Sequence, residues 1–207
     1  MSRFFVTPEE MRSDFIVLTG DNAAHAKVLR LKNGEEVTVC DGAGKECLCV
    51  ISGISAGQVD LVVKKEMTSQ VEANVDVSVY MAFSKGDKFE HVIQKATELG
   101  AYEIVAFPSS RCVSRPDAKS LAKKLERWQA IAESAAKQSG RGVIPTVAPI
   151  HTWKEALASM KNLDYNVILY ENAEGMKPTA ECLKVAGQKG SIGIFVGPEG
   201  GFTEEEV

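Results

Sequence analysis

Ser191-Ile192-Gly193-Ile194-Phe195-Val196 runs straight into Gly197-Pro198-Glu199-Gly200-Gly201, and Thr203 follows after Phe202. A short apolar run closed by glycine reads as a buried strand. Thr203 and Glu206 have the N-cap and N3 spacing of a capping box, so a helix is predicted to begin there. Strand, glycine loop and helix make the repeating unit of α/β sheets, in which ligands bind outside the carboxyl ends of the strands. Glycines let the loop backbone approach a ligand closely, and Pro198 fixes one φ. A ligand loop and a plain tight turn both fit this stretch taken alone.

Working back from this loop, strands and helices alternate. Val75–Phe83 reads as a strand. Asp87 opens a helix, with Glu90 as its capping-box partner; Phe89, Val92, Ile93, Ala96 and Leu99 fall on one face, and Gly100 ends it. Glu103–Phe107 is the next strand. A long helix from Asp117 to about Lys137 turns Leu121, Leu125, Trp128, Ile131 and Ala135 inward. Thr152 and Glu155 cap another helix, and Asn166–Glu171 is a further strand. This alternation predicts a parallel sheet covered on both faces.

Before the polar stretch Thr68–Asn74 the pattern is different. Strand-like runs at Arg3–Val6, Phe15–Leu18, Glu36–Cys40, Glu46–Ser52 and Gln58–Lys64 lie close together, with one short helix, Asn22–Leu29, behind Asp21. Short strands at this spacing predict a small barrel or sandwich. The expected domains are 1–72, mostly β, and 73–207, α/β.

Of the 207 residues, 44% are hydrophobic and 25% charged, which suits a packed core and excludes disorder along the whole chain. No run approaches the ~18 apolar residues of a membrane span. Met1–Val6 is too short for a secretory core, so the expected location is cytoplasmic. Five cysteines without a CxxC spacing predict reduced thiols and no metal. The net charge of −4 hides an asymmetry: eleven Lys and Arg face seven Asp and Glu between Ser84 and Arg141, a local +4 that leaves −8 elsewhere. A nucleic-acid partner responds to where positive charge sits, not to the total.

The loop's own chemistry narrows its ligand. A phosphate cradle wants Lys or Arg beside the glycines, whereas this loop carries Glu199 and then Glu204, Glu205 and Glu206. Carboxylates repel phosphate and suit a cation such as a sulfonium, although acidic residues in a first helical turn are also ordinary. Gly42-Ala43-Gly44-Lys45 imitates a phosphate loop, but Glu46 stands where Ser or Thr is needed. His25, His91 and His151 have no nucleophile at a motif spacing. Glu98 reads as a base or, more simply, as the partner of a nearby cation. Lys119, Lys123 and Arg127 share one helix face and read either as phosphate contacts or as a solvated face.

Several motifs in order carry a resemblance. His25-Ala26-Lys27-Val28-Leu29-Arg30-Leu31-Lys32-Asn33-Gly34 resembles the first-domain signature of the RsmE family. Lys85-Gly86-Asp87-Lys88 and Ile93-Gln94-Lys95-Ala96-Thr97-Glu98-Leu99-Gly100 resemble the start of its second domain. Arg111-Cys112, Arg127-Trp128, Gln138-Ser139-Gly140-Arg141, Val143-Ile144-Pro145 and Gly197–Gly201 continue the match along the chain.

The resemblance implies a PUA-like β-barrel domain at 1–72 and a SPOUT methyltransferase domain with a trefoil knot at 73–207. It implies S-adenosyl-L-methionine as cofactor, N3 of a uridine in small-subunit (16S) ribosomal RNA as target, and a homodimer. Leu169, Tyr170, Gly197, Pro198, Glu199, Gly200 and Gly201 become expected walls of the cofactor pocket. Arg3, Arg30, Lys85, Lys88, Lys95, Lys119, Lys123, Arg127 and Arg141 become the expected RNA-facing set, and Arg111 the catalytic candidate. The family pattern continues with a Leu-Gly-x-Arg-Ile-Leu-Arg-like segment, so the SPOUT domain is expected to be incomplete at its C-terminus. Two rivals remain: a SPOUT enzyme acting on another RNA nucleotide, and a non-catalytic RNA-binding protein.

Overall fold

The computed structural model describes residues 1–171 and 179–207. The fold divides into two compact units, Met1–Glu72 with Ala136–Ile144, and Ala73–Ala135 with Pro145–Val207. The first unit takes in 136–144, which the sequence pattern places with the α/β part.

In the first unit β1 (Ser2–Phe5), β2 (Phe15–Thr19), β3 (Glu36–Cys40), β4 (Lys45–Ser55) and β5 (Gln58–Thr68) form one curled sheet in the order β1-β3-β4-β5-β2. Only β1 and β3 pair in parallel; the other neighbours are antiparallel. Alternation along the strands sends Phe4, Ile16, Leu18, Val37, Val39, Cys47, Cys49, Ile51, Val59 and Leu61 into one core. Each such side chain contributes roughly 1.5–3 kcal/mol when fully buried. The false phosphate loop is the β3–β4 turn. Gly42 and Gly44 take positive φ, and the Asp41 carboxylate accepts from the N–H groups of Ala43 and Lys45.

Helix α1 (Gly20–Val28) begins behind Thr19, which makes no side-chain cap bond, so Asp21 lies inside the first turn instead of capping it. The helix ends with Arg30 in the left-handed region (φ 56), while Arg30 N–H bonds Lys27 O and Leu31 N–H bonds Ala26 O. That is a Schellman ending, with arginine at the position glycine usually takes.

In the second unit β6 (Asp76–Ala82), β7 (Glu103–Phe107), β8 (Thr146–Pro149), β9 (Tyr165–Leu169) and β10 (Ser191–Val196) form a sheet in the order β8-β7-β6-β10-β9. Every pairing in it is parallel, as expected of strands separated by helices. The helices are α2 (Lys88–Glu98), α3 (Ala118–Ser139), α4 (Trp153–Met160) and α5 (Thr179–Ala186). Strand β8 and helix α5 had no reading in the sequence.

Three local expectations meet different outcomes. At α4 the Thr152 and Glu155 capping box forms in full. At α2 it does not: Asp87 sits at φ −94, ψ 7, and Glu90 turns to Arg127 at 2.7 Å. The buried stripe of α2 is Phe89, Ile93 and Thr97. Leu99 lies about 120° round the helix from it and is 86% exposed, not inward as the period suggested. At Thr203 the last residues form a turn over 204–206, and Thr203 N–H bonds Glu206 Oε2 as the capping-box spacing suggests.

Candidate functional site

The topology selects the site. From central β6 the chain runs outward through β7 to β8, then crosses to edge strand β9 and returns to β10, beside β6. Adjacent β6 and β10 therefore mark the switch point, where the connections leave a crevice at the carboxyl ends. The register places Val196 beside both Met81 and Leu169, and Ala82 beside Phe107. Four strand ends thus open on one edge: Gly197–Gly201 after β10, Ser84–Lys88 after β6, Leu169–Glu171 after β9, and Ser109–Arg111 after β7.

The glycine loop is tightly specified. Gly201 N–H bonds Pro198 O at 2.9 Å, and Gly201 has φ 67. A Cβ at Gly201 would lie 2.6 Å from Glu171 Oε1, and one at Gly197 would lie 3.1 Å from the Gly201 carbonyl carbon. At Gly201 the left-handed φ itself favours glycine, while at Gly197 a side chain would require the Gly201–Phe202 segment to give by a few tenths of an ångström.

Three polar contacts pin the loop to its neighbours. Glu199 Oε1 accepts from Lys85 N–H at 2.9 Å and from Lys88 Nζ at 3.3 Å. The Lys85 N–H, with Lys88 adding to it, holds the Glu199 carboxyl below its ordinary value, so it stays anionic. Arg111 Nη1 donates to Gly200 O at 2.7 Å. Behind the loop, buried Phe202 packs among Phe107 and Trp153.

Glu206 differs from the sequence reading. It does not offer charge to a ligand. Its buried carboxylate accepts from Ser110 N–H (2.8 Å), Thr203 N–H (3.0 Å) and Ser109 Oγ (3.2 Å). Burial pushes this carboxyl up, but the three donors outweigh it and hold the group below its ordinary value. The capping-box spacing was visible, but its use between segments 97 residues apart was not. Ser84 Oγ, after the end of β6, is buried with no hydrogen-bond partner among the described residues.

All the expected cofactor residues meet at this edge. Leu169 is 54% exposed and offers an apolar surface, while Tyr170 is half-buried. The basic set is divided. Lys119, Lys123 and Arg127 lie on the exposed side of α3, and Lys85 and Lys88 are exposed beside the glycine loop. Lys95 pairs with Glu98 at 2.7 Å, which gives Glu98 the simpler of its two readings. Arg3 and Arg141 are drawn inside, to Glu46 at 2.7 Å and Glu72 at 2.6 Å, with only 15% and 6% of their side chains exposed. Arg30 is exposed, with Lys27, on the rim of a cleft of about 660 Å³ between α1 and the β4–β5 turn. His25 packs edge-on against Phe4. Burial pushes the Cys40 and Cys49 thiols up to about 12, so both are inert at neutral pH. Among the described residues, no helix is long and apolar enough to cross a membrane.

This parallel sheet with a glycine loop at its switch point, and the β unit of mixed pairing, belong to a class that the family models define, an RNA-modifying transferase with a PUA domain. The RNA methyltransferase domain model matches residues 71–207, and the RNA methyltransferase PUA domain model matches 18–64. The ribosomal RNA small subunit methyltransferase E of Bacillus subtilis (strain 168) is 34% identical over the whole chain, which covers 84% of that protein. The corresponding protein of Mycobacterium bovis is 32% identical over 92% of the chain and 73% of its own length. A crystal structure of the Neisseria gonorrhoeae ribosomal RNA small subunit methyltransferase E bound to S-adenosyl methionine superposes with a TM-score of 0.85. That protein is 31% identical, and the match covers 100% of this chain and 83% of the other. The chain belongs to the RNA methyltransferase family of ribosomal RNA small subunit methyltransferase E, RsmE.

Proposed function

We propose that this protein transfers the methyl group of S-adenosyl-L-methionine to N3 of a uridine in small-subunit (16S) ribosomal RNA, acting in the cytoplasm as a homodimer. The observation that carries the reading is the switch-point loop bordered by carboxylates. Glu199 is anionic, Glu171 touches Gly201, and the loop itself has no Lys or Arg. These carboxylates suit a sulfonium better than a phosphate, and the cations beside the loop, Lys88 and Arg111, each already hold a partner in it, Glu199 and Gly200 O. Exposed Leu169 fits the apolar face of an adenine.

When bound, the cofactor supplies an activated methyl on sulfur; the new N3–C bond replaces the S–C bond, and the N3 proton leaves to a base. The protein's part is to bring the reactants together and to stabilise the uracil anion. Arg111 is the residue assigned to the anion. One of its donors is spent on Gly200 O, which aims the exposed guanidinium along the loop. N3 lies on the Watson–Crick edge, so the target base is unpaired when it reacts. Lys85, Lys88, Lys119, Lys123 and Arg127, with Lys27 and Arg30 on the β unit, provide exposed cations for phosphates.

The test is incubation with S-adenosyl-L-methionine and unmodified small subunits or 16S RNA, followed by nucleoside mass spectrometry. 3-Methyluridine is expected. A different methylated nucleoside would move the protein to another target. RNA binding without measurable cofactor binding would make it a binding module. Light scattering tests the dimer.

A further inference from the structure

We infer that Glu206 is a positioning residue, which through Ser109 and Ser110 sets Arg111 onto Gly200 and so fixes the cofactor loop before any ligand binds. The inference rests on reading Gly197–Gly201 as that loop.

The contacts form a closed ring. From Gly200 the chain runs to Glu206, whose carboxylate takes Ser110 N–H at 2.8 Å and Ser109 Oγ at 3.2 Å. The next residue, Arg111, returns to Gly200 O at 2.7 Å. Gly200 also lies against the Arg111 side chain, since a Cβ there would come within 3.3 Å of Arg111 Cβ. Two clasps of opposite direction therefore join segments 109–111 and 200–206. Neither segment can shift without breaking one of them.

The chemistry requires a carboxylate. Ser110 N–H, Thr203 N–H and Ser109 Oγ all point at Glu206, and a carboxylate is acceptor-only with two oxygens to receive them. Glutamine would turn an NH₂ toward at least one of these donors. Aspartate keeps the charge but is one methylene shorter. Buried Phe202 anchors the chain between the clasps, so the ring has a rigid floor.

The test uses the whole chain with Glu206→Gln, Glu206→Asp and the milder Ser109→Ala, each checked for an intact thermal transition. Without ligand, the amides of Ser110 and Thr203 should lose hydrogen-exchange protection in Glu206→Gln, while those of β3 and β4 keep theirs. Calorimetry with S-adenosyl-L-methionine should give about tenfold weaker binding in Glu206→Gln, the scale of one hydrogen bond to a charged group. Glu206→Asp should recover part of this, and RNA affinity should stay within about twofold throughout. Lost protection with unchanged cofactor affinity would reduce Glu206 to local structure and overturn the inference. Unchanged protection would remove the clasp itself. If the unaltered protein fails to bind S-adenosyl-L-methionine, the cofactor reading falls and takes the inference with it, while exchange still reports whether the clasp exists.

Discussion

Glu72 and Glu206 are both carboxylates drawn inward, and the two units satisfy them in different ways. In the first unit Glu72 receives the Arg141 guanidinium through Nε at 3.0 Å and Nη2 at 2.6 Å, together with the N–H groups of Gly142 and Val143. In the second unit Glu206 is held by backbone N–H groups and a hydroxyl. A buried ion pair is broken at great expense, because losing one partner strands the other charge. A carboxylate held by N–H donors leaves behind neutral groups of one loop. The first arrangement supports a whole unit, and the second shapes a site.

The largest effect expected from this contrast is Glu72→Ala. It removes the acceptor of two Arg141 donors, on a side chain 6% exposed, and of the Gly142 and Val143 N–H groups, and should lower stability by about 3 kcal/mol or more. Urea unfolding measures it, and a loss below about 1 kcal/mol would erase the distinction between the two carboxylates.

The pH dependence sharpens the comparison next. The Glu206 carboxyl is depressed from its reference value of 4.5, so its contribution is present above that pH and disappears as pH falls through the folded value. Thiols Cys40 and Cys49 are raised from 9.0 to about 12, so theirs is present below pH 9 and is lost as pH rises between those values. Unfolding midpoints against pH should therefore flatten on the acid side in Glu206→Gln and on the alkaline side in Cys49→Ala. The reverse pairing would contradict both assignments.

A smaller change is expected at Thr152, where the full capping box should make Thr152→Ala cost about 1 kcal/mol. Asp87→Ala, at the box that does not form, should change stability by less than half of that when both are measured by the same unfolding curves.

A small stability effect also belongs to the exposed face of α3. Replacing Lys119, Lys123 and Arg127 by Ala removes the pair with Glu90, worth about 1 kcal/mol at most. Its consequence should appear in RNA binding, where each lost phosphate contact lowers the log–log salt slope by about 0.7–0.9. An unchanged slope would make this a solvated face.

Much of this was legible in the chain. β3, β7 and β10 fall at the limits their apolar runs predict, because burial along nearly the whole strand leaves a short, mostly apolar run that needs no partner to be seen. The α4 cap was legible for the same reason, since its donor and acceptor lie three residues apart. β8 was missed: Thr146–Pro149 is four residues long with a proline, and it becomes a strand only because β7 offers it an edge. Leu99 was misplaced because a helical period marks an apolar stripe without saying which part of it the sheet will cover.

At the site the division is similar. Residue types alone determined that a glycine loop with flanking carboxylates follows a buried strand, and that the positive charge is concentrated between Ser84 and Arg141. Tertiary structure decided which of those charges remain outside. Arg141 is drawn in by Glu72, Arg127 stays exposed while pairing with Glu90, and Glu206 is taken by the turn after β7. Charge attraction and hydrogen-bond donation act over a few ångströms of space, whereas sequence records only neighbours along the chain. The switch point between β6 and β10 is likewise a property of strand order, which brings residues more than a hundred positions apart to one edge.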